Sequence, residues 1–386
     1  MTFNARHSGT MLEDSQVALV RNYIDTTLMN LLHELSLSPS EGQPSITLRT
    51  RPTVRDCSIN STNGTLEARS QQGSNRTNVW PGRTSFEAWK FTVIIRVLAV
   101  IDEALRTGQK ISKRDIFYID PAYFQSQRTV DAVIDDIAFT IGVDRGALHV
   151  EAAAKGLVAG QFRLKRESQV VLDARYTSPD TLIPRLQDDD DIDISGARWV
   201  LVVEKEAVFH RLARNDFHTN AIAGNGILVT GKGYPDLCTR EFLRRLFDVS
   251  STSNHRPPRF YALVDGDPDG IAIMSTYKHG SLAHLHDNAR LVIPALHWLG
   301  LRVSDAVMRA EVATDVTLLG LTVRDRRKIV TMLRNNPVYA NDGPEVEWRV
   351  ELQRMLMLNV KTEIEVLYEH DGGLEAWIDR KMFRQA

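Results

Sequence analysis

The chain has 386 residues, of which 43% are hydrophobic and 25% charged, and its formal net charge is −2. This composition is typical of a soluble globular protein, and the length favours two domains over a single core. The near-neutral charge argues against a protein coated in basic charge, no apolar stretch is long enough to span a bilayer, and the amino terminus lacks the apolar core of a signal peptide. Only Cys57 and Cys238 occur, without metal-binding spacing, so we expect an intracellular protein with neither zinc nor a disulfide.

The first 78 residues predict a helix and a linker. Apolar residues at spacings of three and four predict an amphipathic helix over Leu12–Leu37. Residues 38–78 are rich in Ser, Thr, Asn, Arg and Gly, and hold too few apolar residues to fold alone, which predicts a flexible polar linker. The helix then packs either on its own body or on a partner protein, and the pattern does not choose between the two.

Residues 79–180 are typical of a small DNA-binding domain. A helix capped by Thr84 or Ser85 runs to Gly108, a short helix over Lys113–Phe117 follows a cap at Ser112, and a third helix ends at Gly142. Short extended pieces follow up to Leu172. Three helices and a hairpin predict a winged helix (CAP-like).

Residues 185–386 predict a second domain of the α/β class. Short β-branched runs alternate with helical segments, which favours a mainly parallel sheet covered by helices. The predicted strands are Trp199–Val203, Gly226–Thr230, Arg259–Val264 and Arg290–Pro294. From Ser304 onward the chain is mostly helical, notably over Glu345–Glu369. The fold class is therefore α/β within a multidomain α+β chain.

Acidic residues follow two of these strands. Glu204 ends one strand, and Asp265, Asp267 and Asp269 follow another at alternate positions. Carboxyl ends of parallel strands share one edge of a sheet, so Glu204 and Asp265 can converge on one metal ion. Oxygen ligands without Cys or His favour Mg²⁺, and an EF-hand is rejected because Thr276 stands at its twelfth position. The alternative is a turn that merely caps the next helix.

Two further motifs could carry chemistry. The segment Gly226–Lys232 fits the GxxxxGK opening of a phosphate-binding loop, but Gly233 replaces the Ser/Thr that would hold Mg²⁺, and Ile227–Val229 favours a strand. We therefore expect no ATP site. In the predicted winged helix, Tyr118 follows Arg114, a cation that could favour phenolate, but Tyr123 is an equal candidate on the residues alone.

Taken together, these segments resemble a known family. The motifs are SKRDIFYID around Tyr118, KGLVAG at Lys155–Gly160, VVEKEAVFHRL at Val202–Leu212, GKGYPDLCTREFL at Gly231–Leu243 and LVDGDPDGIAIMSTYK at Leu263–Lys278. In this order they resemble the eukaryotic meiotic double-strand-break proteins (Spo-eleven type), which are homologues of the topoisomerase VI A subunit. Relatives often have Tyr where this chain has Phe117.

The resemblance implies a winged helix followed by a Toprim domain, the metal-binding fold shared by topoisomerases and primases. It implies that Tyr118 attacks a DNA phosphate to form a 5′-phosphotyrosyl link, and that Arg114 stabilises the phosphoryl oxygens. Residues matching the metal ligands are Glu204, Asp265 and Asp267, which would hold Mg²⁺ or, as a substitute, Mn²⁺. Asp269 falls at a variable position. DNA contacts are expected from Lys155, Lys232 and Tyr234.

The resemblance also implies partners and a location. The active state would be a homodimer on double-stranded DNA, with Tyr118 of one protomer meeting the metal of the other. Other meiotic break proteins and a topoisomerase VI B-like subunit would bind, the latter through the N-terminal helix, in the nucleus on meiotic chromosomes. Two rival functions use the same residues differently. A Toprim phosphoesterase or primase would not need Tyr118, and a noncatalytic winged-helix DNA-binding protein would need neither Tyr118 nor the acids.

Overall fold

A computed structural model describes residues 6–38, 40–69, 74–151, 154–252, 256–285, 287–310, 318–369 and 372–384. The chain forms two compact units, one of Met1–Pro52 with Ser70–Ala153 and the other of Thr53–Arg69 with Ala154–Ala386. Each unit has its own buried apolar core, as the length predicts. No helix within these described ranges is long and apolar enough to cross a membrane.

The first unit is mainly helical. Its helices are α1 (Arg6–Ser36), α2 (Ser85–Thr107), α3 (Lys113–Ile119), α4 (Pro121–Phe124) and α5 (Gln127–Ile141). The first six strands of the chain are β1 (Ser45–Arg49), β2 (Cys57–Ile59), β3 (Leu66–Ala68), β4 (Asn75–Val79), β5 (Ile111–Ser112) and β6 (Val150–Glu151). In this unit β1 pairs antiparallel with β4, and β5 pairs parallel with β6, whereas the β2–β3 hairpin belongs to the second unit.

Capping residues explain why the predicted helices form where they do. The Thr84 hydroxyl accepts a hydrogen bond from the Glu87 N–H at 3.2 Å, and Ser112 and Asp115 form a reciprocal capping box at the start of α3. Helices α2 and α5 end at Gly108 and Gly142, which both have positive φ angles that suit glycine. These three helices are confirmed.

Residues 38–78 differ from the flexible linker that we predicted. Their described part contains β1 to β4, and Ile46 and Leu48 of β1 are buried in the core of the first unit. Alternate burial along β1 is the period of a strand, and a few apolar residues suffice because the neighbouring helices supply the rest of the core. Helix α1 packs on the same core through Val20, Ile24 and Leu31.

The predicted wing hairpin lies in the second unit, so the boundary falls between residues 153 and 154 and not near 180. The remaining strands are β7 (Leu157–Gly160), β8 (Arg163–Arg166), β9 (Gln169–Asp173), β10 (Asp191–Asp193), β11 (Trp199–Val203), β12 (Gly226–Thr230), β13 (Arg259–Leu263), β14 (Leu296–Gly300), β15 (Leu319–Gly320) and β16 (Val360–Lys361). All of β7 is buried and pairs antiparallel with β12, whereas β9 pairs with β8 in a separate three-stranded sheet of order β10-β8-β9, so the predicted pieces do not pair with each other as one hairpin. The winged helix itself stays a prediction.

A five-stranded sheet organises the second unit, in the order β14-β13-β11-β12-β7, and its strands β11 to β14 are parallel. The predicted strands at β11, β12 and β13 are confirmed. The strand predicted over Arg290–Pro294 is wrong, because Asn288–Leu291 is helical and β14 covers Leu296–Gly300. Pro294 has no backbone N–H to donate to a sheet ladder, and the edge strand β14 begins two residues after it.

Helices cover both faces of this sheet, and its strands are mostly buried and apolar. The helices are α6 (Glu206–Arg214), α7 (Phe217–Asn220), α8 (Leu237–Thr252), α9 (Pro268–Lys278), α10 (Asn288–Leu291), α11 (Val303–Ala310), α12 (Val323–Asn335), α13 (Val346–Leu358) and α14 (Gly373–Arg384). Val200 and Val202 face one core cluster, and Leu201 and Val203 face the other. The helical stretch predicted over Glu345–Glu369 is interrupted by β16.

Candidate tyrosine and metal sites

The helix that carries Tyr118 is held from one side and open on the other. Ile116 of α3 is fully buried, and the ammonium of Lys113 pairs with Asp135 of α5. Asp135 also accepts a bond from Arg145 at 2.7 Å, which fixes it among cations. Tyr118 itself is 63% exposed. The first unit therefore presents the Tyr118 phenol to solvent on an anchored helix.

The second tyrosine is placed differently. Tyr123 packs partly buried against the core of the first unit, and its backbone carbonyl accepts a 2.8 Å hydrogen bond from the indole N–H of Trp89. Tyr118 is thus better presented to a macromolecular substrate than Tyr123. Arg114 is exposed and lies four residues before Tyr118 on the same helix, so both side chains share one helix face.

The acids of the second unit meet at the carboxyl edge of the sheet. Val203 is in register with Leu263 on the neighbouring strand, so Glu204 and Asp265 leave the same edge of the sheet with an offset of one residue. The carboxylate of Glu204 accepts a hydrogen bond from the backbone N–H of Asp265 at 2.9 Å. Asp267 caps α9 by accepting the Gly270 N–H at 2.7 Å. The helix-capping alternative is therefore true of Asp267, but it does not account for Glu204 or Asp265.

The approach of α9 to this edge requires a glycine at position 270. A Cβ atom built on Gly270 would lie 2.4 Å from the Asp265 carbonyl oxygen and 3.1 Å from a carboxylate oxygen of Glu204. A side chain there would therefore push the helix away from the acids. The sequence Asp-Gly-Asp-Pro-Asp-Gly combines a cap, a proline in the first helical turn and this small residue.

Burial and mutual repulsion disturb these carboxyl groups. Burial, followed by the negative charge of Asp265, raises the pKa of Glu204 to about 8. Burial raises the pKa of Asp265 to about 6, against the opposing charge of Lys205. Burial also raises the pKa of Asp267, and the charge of Asp269 adds to that shift. Oxygen donors that repel one another in this way suit a bound Mg²⁺ ion.

Lysines occupy part of this site, which the sequence did not lead us to expect. The Lys205 ammonium lies 3.1 Å from a carboxylate oxygen of Asp265, and Lys328 pairs with Asp269. Two of the acids that follow the strands therefore have a cationic partner within the chain. Among the described residues, no group of three or more His, Cys, Asp or Glu side chains has the arrangement of a metal site.

The predicted DNA-contacting lysines share one network beside the acids. The Lys155 ammonium donates to the Lys232 carbonyl at 3.2 Å, and the Lys232 ammonium lies 2.8 Å from a Glu206 oxygen. Asp236 joins the two loops, because one of its oxygens accepts the Lys155 N–H at 2.9 Å and the other the Thr239 N–H at 2.7 Å. The residues before Lys232 form β12, as predicted, and not a phosphate-binding loop.

Tyr234 follows in the same loop and is 46% exposed. Its hydroxyl accepts a hydrogen bond from the Lys328 ammonium at 2.9 Å and lies 3.5 Å from an oxygen of Asp269. Burial of its hydroxyl raises the pKa of Tyr234, although Lys328 opposes the shift. The structure thus brings the predicted acids, Lys232 and Tyr234 together with Lys328, which sequence reasoning missed.

Two family models match the chain, one in each of its two units. Residues 199–379 match the model described as the Toprim domain of Spo11 and of the topoisomerase 6 A subunit, and residues 89–150 match that described as Type IIB DNA topoisomerase. The first match spans the four parallel strands β11 to β14, the acids that follow them and most of the C-terminal helical part. The second spans α3 with Tyr118. The mixed α/β second unit therefore contains a Toprim domain.

Similar proteins carry meiotic and topoisomerase names. Meiotic recombination protein SPO11-1 of Oryza sativa subsp. indica is 38% identical over 281 residues, which are 72% of this chain and 70% of the relative. Meiotic recombination protein rec12 of Schizosaccharomyces pombe is 32% identical over 374 residues, which are 96% of both chains. The A subunit of DNA topoisomerase 6 from Arabidopsis thaliana is 34% identical over 278 residues, which are 72% of this chain and 62% of the relative. The chain therefore belongs to the family of Spo11 proteins and topoisomerase VI A subunits.

Proposed function

We propose that this chain makes double-strand breaks in DNA to start meiotic recombination, in the nucleus on meiotic chromosomes. Its family and the names of its relatives support the biological role. The observation that carries the chemistry is the exposed Tyr118 phenol on an otherwise anchored helix. A tyrosine held in this way is suited to attack a substrate as large as a DNA duplex.

In the proposed reaction the Tyr118 oxygen attacks a backbone phosphorus. A bond forms between this oxygen and the 5′ phosphate, the bond from phosphorus to the 3′ oxygen breaks, and the phenol's proton is released while the leaving oxygen is protonated to a free 3′ hydroxyl. One phosphoester replaces another, so the cleavage step needs no ATP. Arg114, on the same face of α3, is suited to stabilise charge on the phosphoryl oxygens.

The proposed metal ligands are Glu204, Asp265 and Asp267, which would hold Mg²⁺ or Mn²⁺. The bound metal would neutralise negative charge on the phosphate and the leaving oxygen. The chain prepares these ligands in advance, because backbone N–H groups orient one oxygen of each carboxylate, at 2.7–2.9 Å. Oriented oxygens need little reorganisation when a cation binds.

DNA binding is assigned to the loops beside the acids. Lys155 and Lys232 supply positive charge for the phosphate backbone, and Tyr234 supplies an exposed ring at the same edge. The near-neutral net charge suits a local grip of this kind better than a wholly basic surface. These contacts would position the duplex without reading its sequence.

We propose that two copies act together, because one tyrosine can cut only one strand. Tyr118 of one protomer would meet the metal ligands of the other. Helix α1 would bind the topoisomerase VI B-like subunit, since Leu28, Met29, Leu32 and Leu35 in its C-terminal half stay exposed although Val20, Ile24 and Leu31 pack on its own unit. Exposed apolar side chains that lie close together on a helix favour a partner.

The decisive test is covalent capture of end-labelled DNA. Tyr118→Phe removes only the phenol oxygen, so protein–DNA adducts should disappear while folding and DNA binding persist. Tyr123→Phe is the matched control and should keep its adducts. Adducts that persist in Tyr118→Phe and vanish in Tyr123→Phe would show that the other tyrosine is the nucleophile.

The same assay separates the two rival functions. Metal-dependent DNA hydrolysis that survives in Tyr118→Phe, without any adduct in the unaltered protein, would indicate a Toprim phosphoesterase. DNA binding with no cleavage by any variant, in the presence of partner proteins and metal, would indicate a noncatalytic DNA-binding protein.

A further inference from the structure

Lys205 lies among three carboxylates at the edge of the proposed metal site. Its ammonium is 3.1 Å from Asp265, 2.6 Å from Glu365 and 3.4 Å from Glu363. Two of these partners belong to the short segment after β16, more than 150 residues further along the chain. One cation therefore links the strand-end acids to the C-terminal helical part of the second unit.

Asp265 already uses both of its oxygens in this arrangement. One accepts the Ile364 N–H at 2.8 Å, and the other faces the Lys205 ammonium. A Mg²⁺ ion binds carboxylate oxygen at about 2.0–2.1 Å. An ammonium and a divalent cation on the same carboxylate would repel each other strongly at such separations. A metal can therefore use Asp265 fully only when Lys205 moves away from it.

Glu363 and Glu365 can pair with the Lys205 ammonium after it leaves Asp265. They flank Ile364, whose N–H holds Asp265, so they lie beside the same carboxylate without belonging to the proposed ligand set. The lysine side chain is flexible, and it needs only a small displacement to keep both glutamates while it releases Asp265. The cost of leaving Asp265 is thereby reduced.

We propose that Lys205 competes with the divalent metal for Asp265, and that Glu363 and Glu365 hold Lys205 when the metal is bound. This inference rests on the metal site assigned under the proposed function. Metal affinity then depends on six residues, the three ligands together with Lys205, Glu363 and Glu365. The lysine keeps the buried acids neutralised before metal binds, and it lowers the affinity of the site for metal.

The test is Mn²⁺ binding to the full-length chain, measured by electron paramagnetic resonance without DNA. Lys205→Met removes the competitor, so the affinity should rise on the order of ten-fold. Lys205→Gln serves as a second neutral variant if the first folds poorly. Glu365→Gln weakens the alternative seat and should lower the affinity.

Two comparisons separate competition from a general change of charge. Lys361 pairs with Asp325 at 2.9 Å and acts on Asp267 only through its charge, so Lys361→Met should raise the affinity much less than Lys205→Met. In the Lys205→Met background, Glu365→Gln should lose most of its effect, because the lysine through which it acts is gone. An equal rise in both lysine variants, or an unchanged or lower affinity in the Lys205 variants, would overturn the proposal.

Glu204→Gln tells this failure apart from failure of the metal site. If Glu204→Gln abolishes Mn²⁺ binding while the Lys205 variants bind like the unaltered chain, the metal site stands and the competition is wrong. If Glu204→Gln binds Mn²⁺ normally, the metal site itself is misplaced and the inference falls with it.

Discussion

The tyrosine helix and the acidic edge of the sheet present their chemistry in opposite ways. Tyr118 is exposed on a short helix, and the structure secures the residues beneath it and not the phenol itself. Asp265 is 6% exposed, and both of its oxygens are engaged by the chain. The proposed nucleophile is therefore free to meet a large substrate, whereas the proposed metal ligands are fixed before any ligand arrives. An exposed phenol can be reached by a large substrate, whereas carboxylates held in place can stabilise a cation without first rearranging.

The largest effect is expected from mixing two inactive variants, which tests whether Tyr118 of one protomer acts with the acids of the other. Tyr118→Phe chains lack the nucleophile, and Glu204→Ala chains lack a metal ligand, so each alone should cut no DNA. In a mixed dimer with shared sites, one site would keep both functions and nick a single strand, in about half of the dimers at equal amounts. A nicked-plasmid assay measures this. Absence of nicks from the mixture, while unaltered chains cut under the same conditions, would argue against sites shared between protomers.

The buried and the exposed side chains of α3 should differ in their contribution to the free energy of unfolding. Ile116 is fully buried, so Ile116→Ala should lower the free energy of unfolding of the first unit by about 2–5 kcal/mol. Tyr118→Phe should change it by less than about 0.5 kcal/mol, because the phenol is exposed. Urea unfolding of both variants measures the difference. Comparable losses would mean that Tyr118 is a packing residue.

Part of this arrangement could be predicted from the sequence. Local signals were sufficient for the helix that carries Tyr118, since Ser112 caps it and Asp115 completes the box. They were also sufficient for the strands before Glu204 and Asp265, which are apolar on both faces. Glu204 and Asp265 follow these strands at one edge of the sheet, and their role as metal ligands stays a prediction.

Contacts between distant segments could not be predicted. Lys328 reaches Asp269 from 59 residues away, and Glu365 reaches Lys205 from 160 residues away, with no local pattern to mark either pair. The hairpin after residue 156 was assigned to the wrong unit for the same reason. Its own sequence favours strands, but β7 pairs with β12 while β8 pairs with β9 and β10, and no local pattern marks these partners.

Close packing behind the acids gives a smaller expected effect. Gly270→Ala places a Cβ atom 2.4 Å from the Asp265 carbonyl, so α9 must shift, at a cost of about 1–3 kcal/mol in the free energy of unfolding. Metal binding should weaken as well. Gly320→Ala is the control, since among the described residues no atom beyond its chain neighbours lies within 4 Å of the added carbon. Thermal unfolding and Mn²⁺ titration that leave Gly270→Ala indistinguishable from Gly320→Ala would contradict the fixed geometry.

The smallest change in stability and in DNA affinity is expected from Asp236, which joins the loops of Lys155 and Lys232. Asp236 holds two backbone N–H groups, those of Lys155 and Thr239, with its two oxygens. Asp236→Asn keeps the size but replaces one acceptor by a donor, so one of these bonds is lost, at a cost of about 0.5–1.5 kcal/mol. Lys155 would then be less well placed on the phosphate backbone, and DNA affinity should fall by a few fold, with little change in its salt dependence because no lysine is lost.

Asp248→Asn is the matched control, since Asp248 is an exposed carboxylate of α8 that pairs with Arg244 at 2.9 Å. Fluorescence anisotropy with a short duplex, measured over a range of salt, distinguishes the outcomes. An affinity loss shared equally by both variants would mean that Asp236 acts only through its charge, and unchanged affinity in Asp236→Asn would remove Lys155 from the proposed DNA contacts.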